Sequence, residues 1–181
     1  MKRFPYLAHA LVCILLVLFD QVSKYFARTE LKGNPVPVID GVFSLHYLEN
    51  RGTIWGLLQG KVDVLLIVSL LIFALLVYMY IRLPKTKEYL LFSWVLVVIG
   101  AGAIGNGIDR MFFGFVTDFL YFELINFPIF NIADCYLTVC EFFLIYLILF
   151  GKYKNEEFKF LLPRRKDASE HVTDIADSDE N

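Results

Sequence analysis

Carboxylates carry most of the chemistry that this sequence can offer. Asp109, Asp118 and Asp134 stand at the ends of long apolar runs, where an ionised side chain is expensive. Two carboxylates brought close together cannot both ionise, so one keeps its proton while the other stays charged. Such a pair can take a proton from water and protonate a peptide carbonyl, which hydrolyses the peptide without a metal. A path for protons or cations also uses acids in a membrane, and the residues alone leave both interpretations open.

Other catalytic arrangements are not visible in the sequence. The histidines are scattered, so neither a zinc cluster nor a Ser/His or Cys/His pair is predicted. They are His9, His46 and His171. The cysteines fall inside apolar runs without CxxC spacing, and we interpret them as buried apolar residues. They are Cys13, Cys135 and Cys140. We therefore expect no metal, no cofactor and no nucleic-acid partner.

The elements that carry the aspartates are long apolar runs. Of the 181 residues, 57% are hydrophobic and only 20% are charged, which is too little charge for a soluble domain. A transmembrane helix needs about 20 mostly apolar residues. The sequence therefore predicts an all-α membrane protein with helices at about 7–26, 63–81, 88–107 and 132–150. The first run lacks a small-residue cleavage signal and three spans follow it, so we interpret it as an uncleaved helix.

Basic residues predict which side of the membrane each loop faces. Eleven Lys and Arg residues lie in the N-terminus, the 82–87 loop and the segment after 151, whereas five lie on the opposite side. The positive-inside rule then places both termini in the cytoplasm. Residues 28–62 and 108–131 face outward, so a site that contains Asp118 and Asp134 is expected at the outer face.

The chain divides into a membrane domain, 1–151, and a C-terminal tail, 152–181. The first part of the tail, 152–166, holds six cations and is expected to rest against anionic lipid headgroups. The second part, 167–181, holds six acids and no Lys or Arg, which is typical of a disordered segment.

The outward segment between the first two spans, at about 34–56, has the alternation of a β-hairpin. Apolar residues alternate with their neighbours on both sides of Asp40-Gly41, a dipeptide that favours tight hairpin turns. We therefore predict a small extracytoplasmic β-sheet between helices 1 and 2. Its apolar side chains can hold an extended peptide or contact lipid, or the sheet can simply cap the helices.

Further polar side chains stand near the outward ends of the spans. Asp20 and Lys24 lie four residues apart, so they share one helix face and can form an ion pair. That pair can serve a site, or it can be a neutralised pair with Lys24 reaching toward the membrane interface. Small residues in "GAGAIGNG" (100–107) indicate close helix packing. The other polar candidates are Asn50, Gly52, Asn106, Arg110 and Asn131.

Five motifs on four short spans resemble those of lipoprotein signal peptidase, also called signal peptidase II. The resemblance covers roughly residues 8–150, with the motifs in register with the predicted topology. The motifs are "FDQVSK" (19–24), "ENRG" (49–52), "GAIGNGIDR" (102–110), "FGFVTDF" (113–119) and "FNIAD" (130–134). Proteins of this family are aspartyl endopeptidases of the bacterial inner membrane. They cleave the signal peptide from prolipoproteins just before a cysteine that carries diacylglycerol.

The resemblance implies that Asp118 and Asp134 form a catalytic dyad. It also implies that seven residues surround the dyad and the substrate: Asp20, Lys24, Asn50, Gly52, Asn106, Arg110 and Asn131. Asp109 has no dyad role in the family, and we interpret it as structural. Arg110 either binds a lipid or substrate carbonyl or braces the fold through Asp109. A coupled pair titrates as a unit, so the acid and the base are not assigned to individual aspartates.

The implied partners are prolipoproteins with a diacylglyceryl cysteine and membrane lipids, and we expect a monomer in the bacterial inner membrane.

Three features depart from the family pattern: "TIWG" (53–56) replaces small residues and Phe, Thr117 replaces a Val, and the linker 119–130 is short and aromatic. Two alternatives stay open. A proton-coupled transporter would place acids deeper in the spans, and a membrane scaffold would tolerate loss of either dyad carboxylate.

Overall fold

The computed structural model describes residues 4–52, 61–150 and 153. Four helices in this part of the chain are long and apolar enough to cross a membrane, which confirms the four predicted spans. They are α1 (Tyr6–Glu30), α2 (Val62–Arg82), α3 (Leu90–Phe113) and α4 (Ile132–Leu149). The "TIWG" segment and the acidic end of the tail lie outside the described residues.

Helix α3 is the centre of the helical bundle. It contacts α1, α2 and α4, and 56% of its apolar stretch is buried, against 6–11% for the other three helices. The outer helices therefore present Leu, Ile, Val and Phe side chains outward, as a lipid environment requires. At the end of the bundle where α3 begins, a buried apolar cluster joins α3 to α4. Its members include Leu83, Tyr89, Phe92, Leu96, Leu147 and Tyr153.

Glycines in α3 let its neighbours approach closely, as the small-residue run predicts. A Cβ added at Gly102 would lie 2.8 Å from the backbone oxygen of Ala133 in α4. A Cβ added at Gly105 would overlap the carboxylate of Asp20 in α1. Any larger side chain at these two positions would therefore separate α3 from the helices that carry Asp20 and Asp134.

A three-stranded antiparallel sheet packs against the opposite end of the bundle. The predicted hairpin is present as β1 (Val36–Ile39) and β2 (Phe43–Asn50), with Gly41 in the turn at a φ of 69°. The sheet has a third strand, β3 (Val116–Tyr121), which pairs with β2 and follows α3 in the chain. The predicted small sheet between helices 1 and 2 is therefore confirmed, and β3 extends it by a strand that was not predicted.

Helix α3 also ends later than predicted. It continues to Phe113 and stops at Gly114, whose φ of 72° closes the helix and whose N–H bonds to the oxygen of Arg110 at 3.2 Å. Asp109 and Arg110 thus lie in its last turns instead of after it. Their polar side chains find partners on neighbouring elements, so the helix does not have to end before them.

The linker between β3 and α4 folds back onto β3. After a short 3-10 helix, Glu123–Ile125, and Asn126 with a φ of 48°, the chain returns so that Phe130 pairs with Leu120. The N–H of Phe130 donates to the oxygen of Leu120 at 3.0 Å, and Phe130 stacks on Phe122 at 5.7 Å. This closed loop delivers the start of α4 beside the middle of β3.

We expect Gly102→Ala to lower the free energy of unfolding by about 1–3 kcal/mol, because the added methyl group would meet the backbone of α4. Gly107→Ala is the matched control: the same helix gains the same methyl group, and nothing lies within 4 Å of it. Its stability should be unchanged or slightly higher. Thermal unfolding in detergent measures both variants. Equal melting temperatures would contradict the close contact of α3 and α4.

Candidate active site

Asp118 lies in the middle of β3, buried between the sheet and the helices. Its Oδ1 accepts a hydrogen bond from Nδ2 of Asn131 at 2.7 Å, and its Oδ2 accepts one from Nδ2 of Asn50 at 2.8 Å. The backbone N–H of Gly52 donates to Oδ1 of Asn50 at 3.0 Å, which turns the Asn50 amide so that its NH₂ group faces Asp118. The Asn50–Gly52 turn at the end of β2 therefore fixes one side of the carboxylate.

Asp134 lies in the first turn of α4 and forms a capping box with Asn131. The N–H of Asp134 donates to Oδ1 of Asn131, and the N–H of Asn131 donates to Oδ2 of Asp134, each at 3.1 Å. The positive end of the helix dipole lies at the same place. Oδ1 of Asp134 accepts a further bond from Nδ2 of Asn106 at 2.8 Å. The capping box alone explains why an aspartate occurs at position 134. A catalytic role for Asp134 therefore depends on Asp118, which lines the same cavity.

Asn131 is the residue that joins the two carboxyl groups. Its side-chain NH₂ binds Asp118 at 2.7 Å while its backbone N–H binds Asp134 at 3.1 Å, and it is fully buried. The same NH₂ group lies 3.2 Å from Oδ1 of Asn106. Both aspartates are therefore held from one asparagine, which the closed linker places between β3 and α4.

Lys24 is a buried cation behind this pair. Its Nζ donates to Oδ1 of Asn106 at 2.8 Å and lies 2.9 Å from Oδ2 of Asp20 and 3.8 Å from Oδ2 of Asp109. The ion pair with Asp20 that the spacing predicts is present. Lys24 has no exposed surface, however, so the alternative in which it reaches toward the membrane interface is wrong. Its side chain points inward because the polar groups of Asp20, Asn106 and Asp109 bind it there.

Asp20 ties α1 to the start of α4. Its Oδ1 accepts from the backbone N–H of Ala133 at 3.0 Å, which lies in the first turn of α4 where such groups have no helical partner. Gln21 donates from Nε2 to Oδ2 of Asp20 at 3.1 Å and to the oxygen of Gly105 at 3.0 Å. Three helices are thus joined next to Asp134.

Asp109 holds the strand that carries Asp118. Its Oδ2 accepts from the backbone N–H of Thr117 at 2.8 Å, and its Oδ1 lies 3.6 Å from Nη1 of Arg28. Arg28 also donates to Oγ1 of Thr117 at 2.9 Å and lies over the ring of Phe113. Of the two roles considered for Arg110, the brace through Asp109 is not found: Nη1 of Arg110 lies 3.3 Å from Oγ of Ser69 on α2, and Arg28 pairs with Asp109.

The environment of Asp118 favours its protonated form. Burial raises the pKa of this carboxyl from its ordinary value of 3.8 to about 7, and the nearby Asp134 carboxyl adds to the increase. Hydrogen bonds from Asn50 and Asn131 and the charge of Lys24 act in the opposite direction. A proton can therefore stay on Asp118 at neutral pH, which suits a pair that works with one proton between two carboxyl groups.

A cavity of about 340 Å³ opens beside the two aspartates. Of the sequence-predicted residues, it is lined by Asn50, Gly52, Asn106, Arg110, Asp118 and Asp134. Asp20, Lys24, Asp109 and Asn131 lie behind these and hold them in place. The cavity is large enough for several side chains of a bound peptide, and two carboxyl groups stand at its wall.

Sequence reasoning missed several residues of the site. Arg28 and Gln21 carry no motif of their own, although Gln21 stands inside "FDQVSK". Ser69 and Glu141 also line the cavity, from α2 and α4. Glu141 had a visible signal, because it is an acid inside an apolar run, and such a residue is a functional candidate by default.

Comparisons with known proteins agree with this arrangement. The family model described as "Signal peptidase (SPase) II" matches residues 12–150. The lipoprotein signal peptidase of Caldanaerobacter subterraneus subsp. tengcongensis is 39% identical over 144 residues, which cover 78% of this chain and 96% of that protein. That of Enterococcus faecalis is 39% identical over 150 residues, with coverage of 81% and 91%. A bacterial membrane enzyme solved by the in meso method at 2.3 Å superposes with a TM-score of 0.75 at 32% identity, over 86% of this chain and 96% of that one.

The matched region contains every element that supplies a side chain to the cavity. It begins within α1 and ends just after α4, so the sheet, the closed linker and both aspartates fall inside it. The structural similarity covers the same arrangement of helices and sheet at an identity above 30%. The chain therefore belongs to the signal peptidase II family, the lipoprotein signal peptidases, and is a multi-pass bacterial membrane peptidase.

Proposed function

We propose that this chain is an aspartic endopeptidase that removes the signal peptide from diacylglyceryl-modified prolipoproteins, cutting just before the lipidated cysteine. One observation supports it above the others. Asp118 and Asp134 lie at the wall of one cavity, and one asparagine, Asn131, hydrogen-bonds to both. Membership in a peptidase family favours this function over a proton-coupled transporter or a membrane scaffold.

In the proposed reaction the two carboxyl groups share one proton. The ionised member takes a proton from a water molecule, which attacks the carbonyl carbon of the scissile peptide bond. The protonated member donates to the carbonyl oxygen, so that a neutral tetrahedral intermediate forms. The protonated carboxyl group then gives its proton to the leaving nitrogen, while the ionised one takes a proton from a hydroxyl group of the intermediate; the carbon–nitrogen bond breaks, and the pair again holds one proton. The acid and base roles belong to the pair and change between the two aspartates during the cycle.

The surrounding residues stabilise the negative charge that the two carboxyl groups share. Lys24 supplies a positive charge that reaches Asp134 through Asn106. The ammonium group of Lys24 donates to Oδ1 of Asn106, and the NH₂ group of Asn106 donates to Asp134. Asn50 and Asn131 donate to Asp118 from two directions, so its carboxyl group stays in one orientation. Arg110 also lines the cavity, and its proposed role is to bind a substrate carbonyl or a lipid ester.

The location of the site suits a substrate that is anchored in the membrane. Asp118 lies on a strand beside the helix ends and Asp134 opens a membrane-spanning helix, so the pair stands close to the membrane surface. We place this end at the outer face of the inner membrane and both termini in the cytoplasm, on the distribution of basic residues. A diacylglyceryl cysteine held in the lipid would bring its preceding peptide bond to that depth. Both aspartates and the described side chains that hold them come from one chain, and we therefore propose that the protein works as a monomer.

We expect purified protein to cleave a diacylglyceryl-modified prolipoprotein and to cleave the unmodified form at least about tenfold more slowly. The reason is that the lipid anchor holds the scissile bond beside the dyad, whereas the unmodified substrate must first find the site by diffusion. Release of the signal peptide from both substrates, at equal concentration in the same detergent, is the measurement. Equal rates would contradict a site selected for lipidated substrates, and no cleavage of either would contradict the proposed function.

The high-pH limb of kcat/KM should lie near pH 7. A raised pKa means that Asp118 keeps its proton below about pH 7 and loses it above, and a doubly ionised pair cannot polarise the carbonyl. Asn50→Ala removes a hydrogen bond that stabilises the ionised form, so this limb should move to higher pH. Initial rates between pH 5 and pH 9 test both statements. An activity that rises through pH 7, or a limb that Asn50→Ala leaves in place, would contradict this protonation state.

A further inference from the structure

A second cavity, of about 300 Å³, lies between α1 and α2 on the surface of α3. Both helices pack against α3, but in the part of the chain that the structure describes the backbones of α1 and α2 do not approach each other. A groove therefore remains between them, which we call the α1–α2 groove. Its walls include Tyr6 and Ala10 of α1, Phe73 and Tyr80 of α2, and Val97 and Gly100 of α3. None of the described residues that line it also lines the active-site cavity.

The α1–α2 groove offers a ligand little polar surface. Its histidine already has partners: Nδ1 of His9 lies 2.7 Å from the hydroxyl oxygen of Tyr80, and Nε2 lies 3.4 Å from Oγ of Ser93. The three helices are long and apolar enough to cross a membrane, so the groove opens to the hydrocarbon of the bilayer. An acyl chain is the occupant that such a surface favours, because an unfilled space would forfeit the dispersion contacts of its walls.

Lys85 lies at the end of the α1–α2 groove that Tyr6 and Tyr80 form. Its Nζ lies 4.4 Å from the centre of the Tyr80 ring and 5.9 Å from that of Tyr6, and it donates to the backbone oxygen of Tyr80. The side chain is exposed, and within the described residues its partners are aromatic rings and this oxygen, with no carboxylate among them. Tyrosines at the ends of membrane-spanning helices typically lie at the level of the lipid headgroups. The unbalanced charge of Lys85 is therefore expected where lipid phosphates lie.

We propose that the α1–α2 groove binds one anionic phospholipid, with an acyl chain between α1 and α2 and the phosphate group at Lys85. The lipid comes from the leaflet at the end of the bundle opposite the sheet, which is the cytoplasmic leaflet in the proposed orientation. Basic pockets between transmembrane helices on that side bind anionic headgroups. A zwitterionic lipid would bring a second cation close to Lys85. Charge therefore selects the headgroup, and the apolar walls hold the chain.

A lipid bound in the α1–α2 groove would support α2. Among the described elements this helix packs against α3 alone, and only 6% of its apolar stretch is buried. It nevertheless supplies part of the wall of the active-site cavity, where Ser69 lies 3.3 Å from Nη1 of Arg110. An acyl chain between α1 and α2 would hold that wall from behind, since a ligand that binds only the folded protein stabilises it.

The test uses Trp94 as a reporter beside the α1–α2 groove. The Trp94 ring lies edge-on to the His9 ring, with the ring centres 4.2 Å apart, and Trp55→Phe removes the other tryptophan of the chain. The purified Trp55→Phe protein in detergent is titrated with phosphatidylglycerol or phosphatidylcholine that carry the same brominated acyl chains, which quench tryptophan fluorescence on contact. We expect half-maximal quenching at about fivefold lower concentration of phosphatidylglycerol, the preference that one Lys near the headgroups contributes.

Three further variants, made in the same background, separate the groove from general attraction of anionic lipid. Lys85→Gln should make the two lipids equal, whereas Lys87→Gln, an exposed cation of the same loop, should keep the fivefold preference. Gly100→Leu should weaken quenching by both lipids, because its side chain would occupy the groove itself. A Cβ added at Gly100 has only Phe73 within reach, at 4.0 Å, so the leucine has room.

Equal quenching by the two lipids before any further substitution contradicts the proposal. So does a loss of preference in Lys87→Gln as large as that in Lys85→Gln, because the lipid would then be attracted by the loop as a whole. Unchanged quenching in a folded Gly100→Leu would place the acyl chain outside the groove and contradict it as well. If Gly100→Leu does not fold, the comparison of the two lysine variants decides. None of these measurements uses cleavage, so their outcome is independent of the proposed function.

Discussion

The buried ammonium group of Lys24 is the interaction on which the site depends. It has no exposed surface, so its charge must be balanced by protein groups, and Asp20, Asp109 and Asn106 supply them from α1 and α3. Because Asn106 gives its oxygen to Lys24, its NH₂ group is turned toward Asp134. Removing one member of such a buried group leaves the others unpaired, which is expected to destabilise by about 3–5 kcal/mol. The buried group around Lys24 therefore contributes to the stability of the fold and also sets the orientation of the candidate dyad.

Two constraints of shape let this network form. Glycine at 102 and 105 brings α3 against α4 and against the Asp20 carboxylate, and a side chain at either position would move the helices apart. The second constraint acts on β3, which is held between β2 on one edge and Phe130 of the linker on the other. Asp109 and Arg28 then fasten the strand at Thr117, next to Asp118. The two aspartates come from different elements, and each element has contacts of its own in addition to Asn131, which binds both carboxyl groups.

Features that depend on local pattern could be read from the sequence, and features that depend on distant pairing could not. Long apolar runs predict spans, Asp40-Gly41 predicts the hairpin turn, and a spacing of four predicts the Asp20–Lys24 pair, because each is set by neighbours in the chain. Strand β3 is only six residues long and its partner is β2, far away in sequence, so no local signal marks it. Arg28 was missed for the same reason. One of the two roles considered for Arg110 was a brace through its neighbour Asp109, whereas its contact is Ser69 on another helix. The assignment of the dyad came from the family resemblance, and it remains a prediction about chemistry.

The central claim, that Asp118 and Asp134 act as one catalytic unit, is tested most directly by replacing each with asparagine. Asparagine keeps the size of the side chain while removing the ionisable group, so folding should survive, with the detergent melting temperature as its control. We predict that each single variant loses turnover, measured as initial cleavage rate per folded enzyme, and that the double variant is scarcely worse than either, because residues that act as a unit are strongly non-additive. Asp109→Asn should instead lower stability and keep measurable activity in the folded fraction. Substantial activity in Asp118→Asn, together with none in a well-folded Asp109→Asn, would contradict the account and would give Asp109 the place of Asp118.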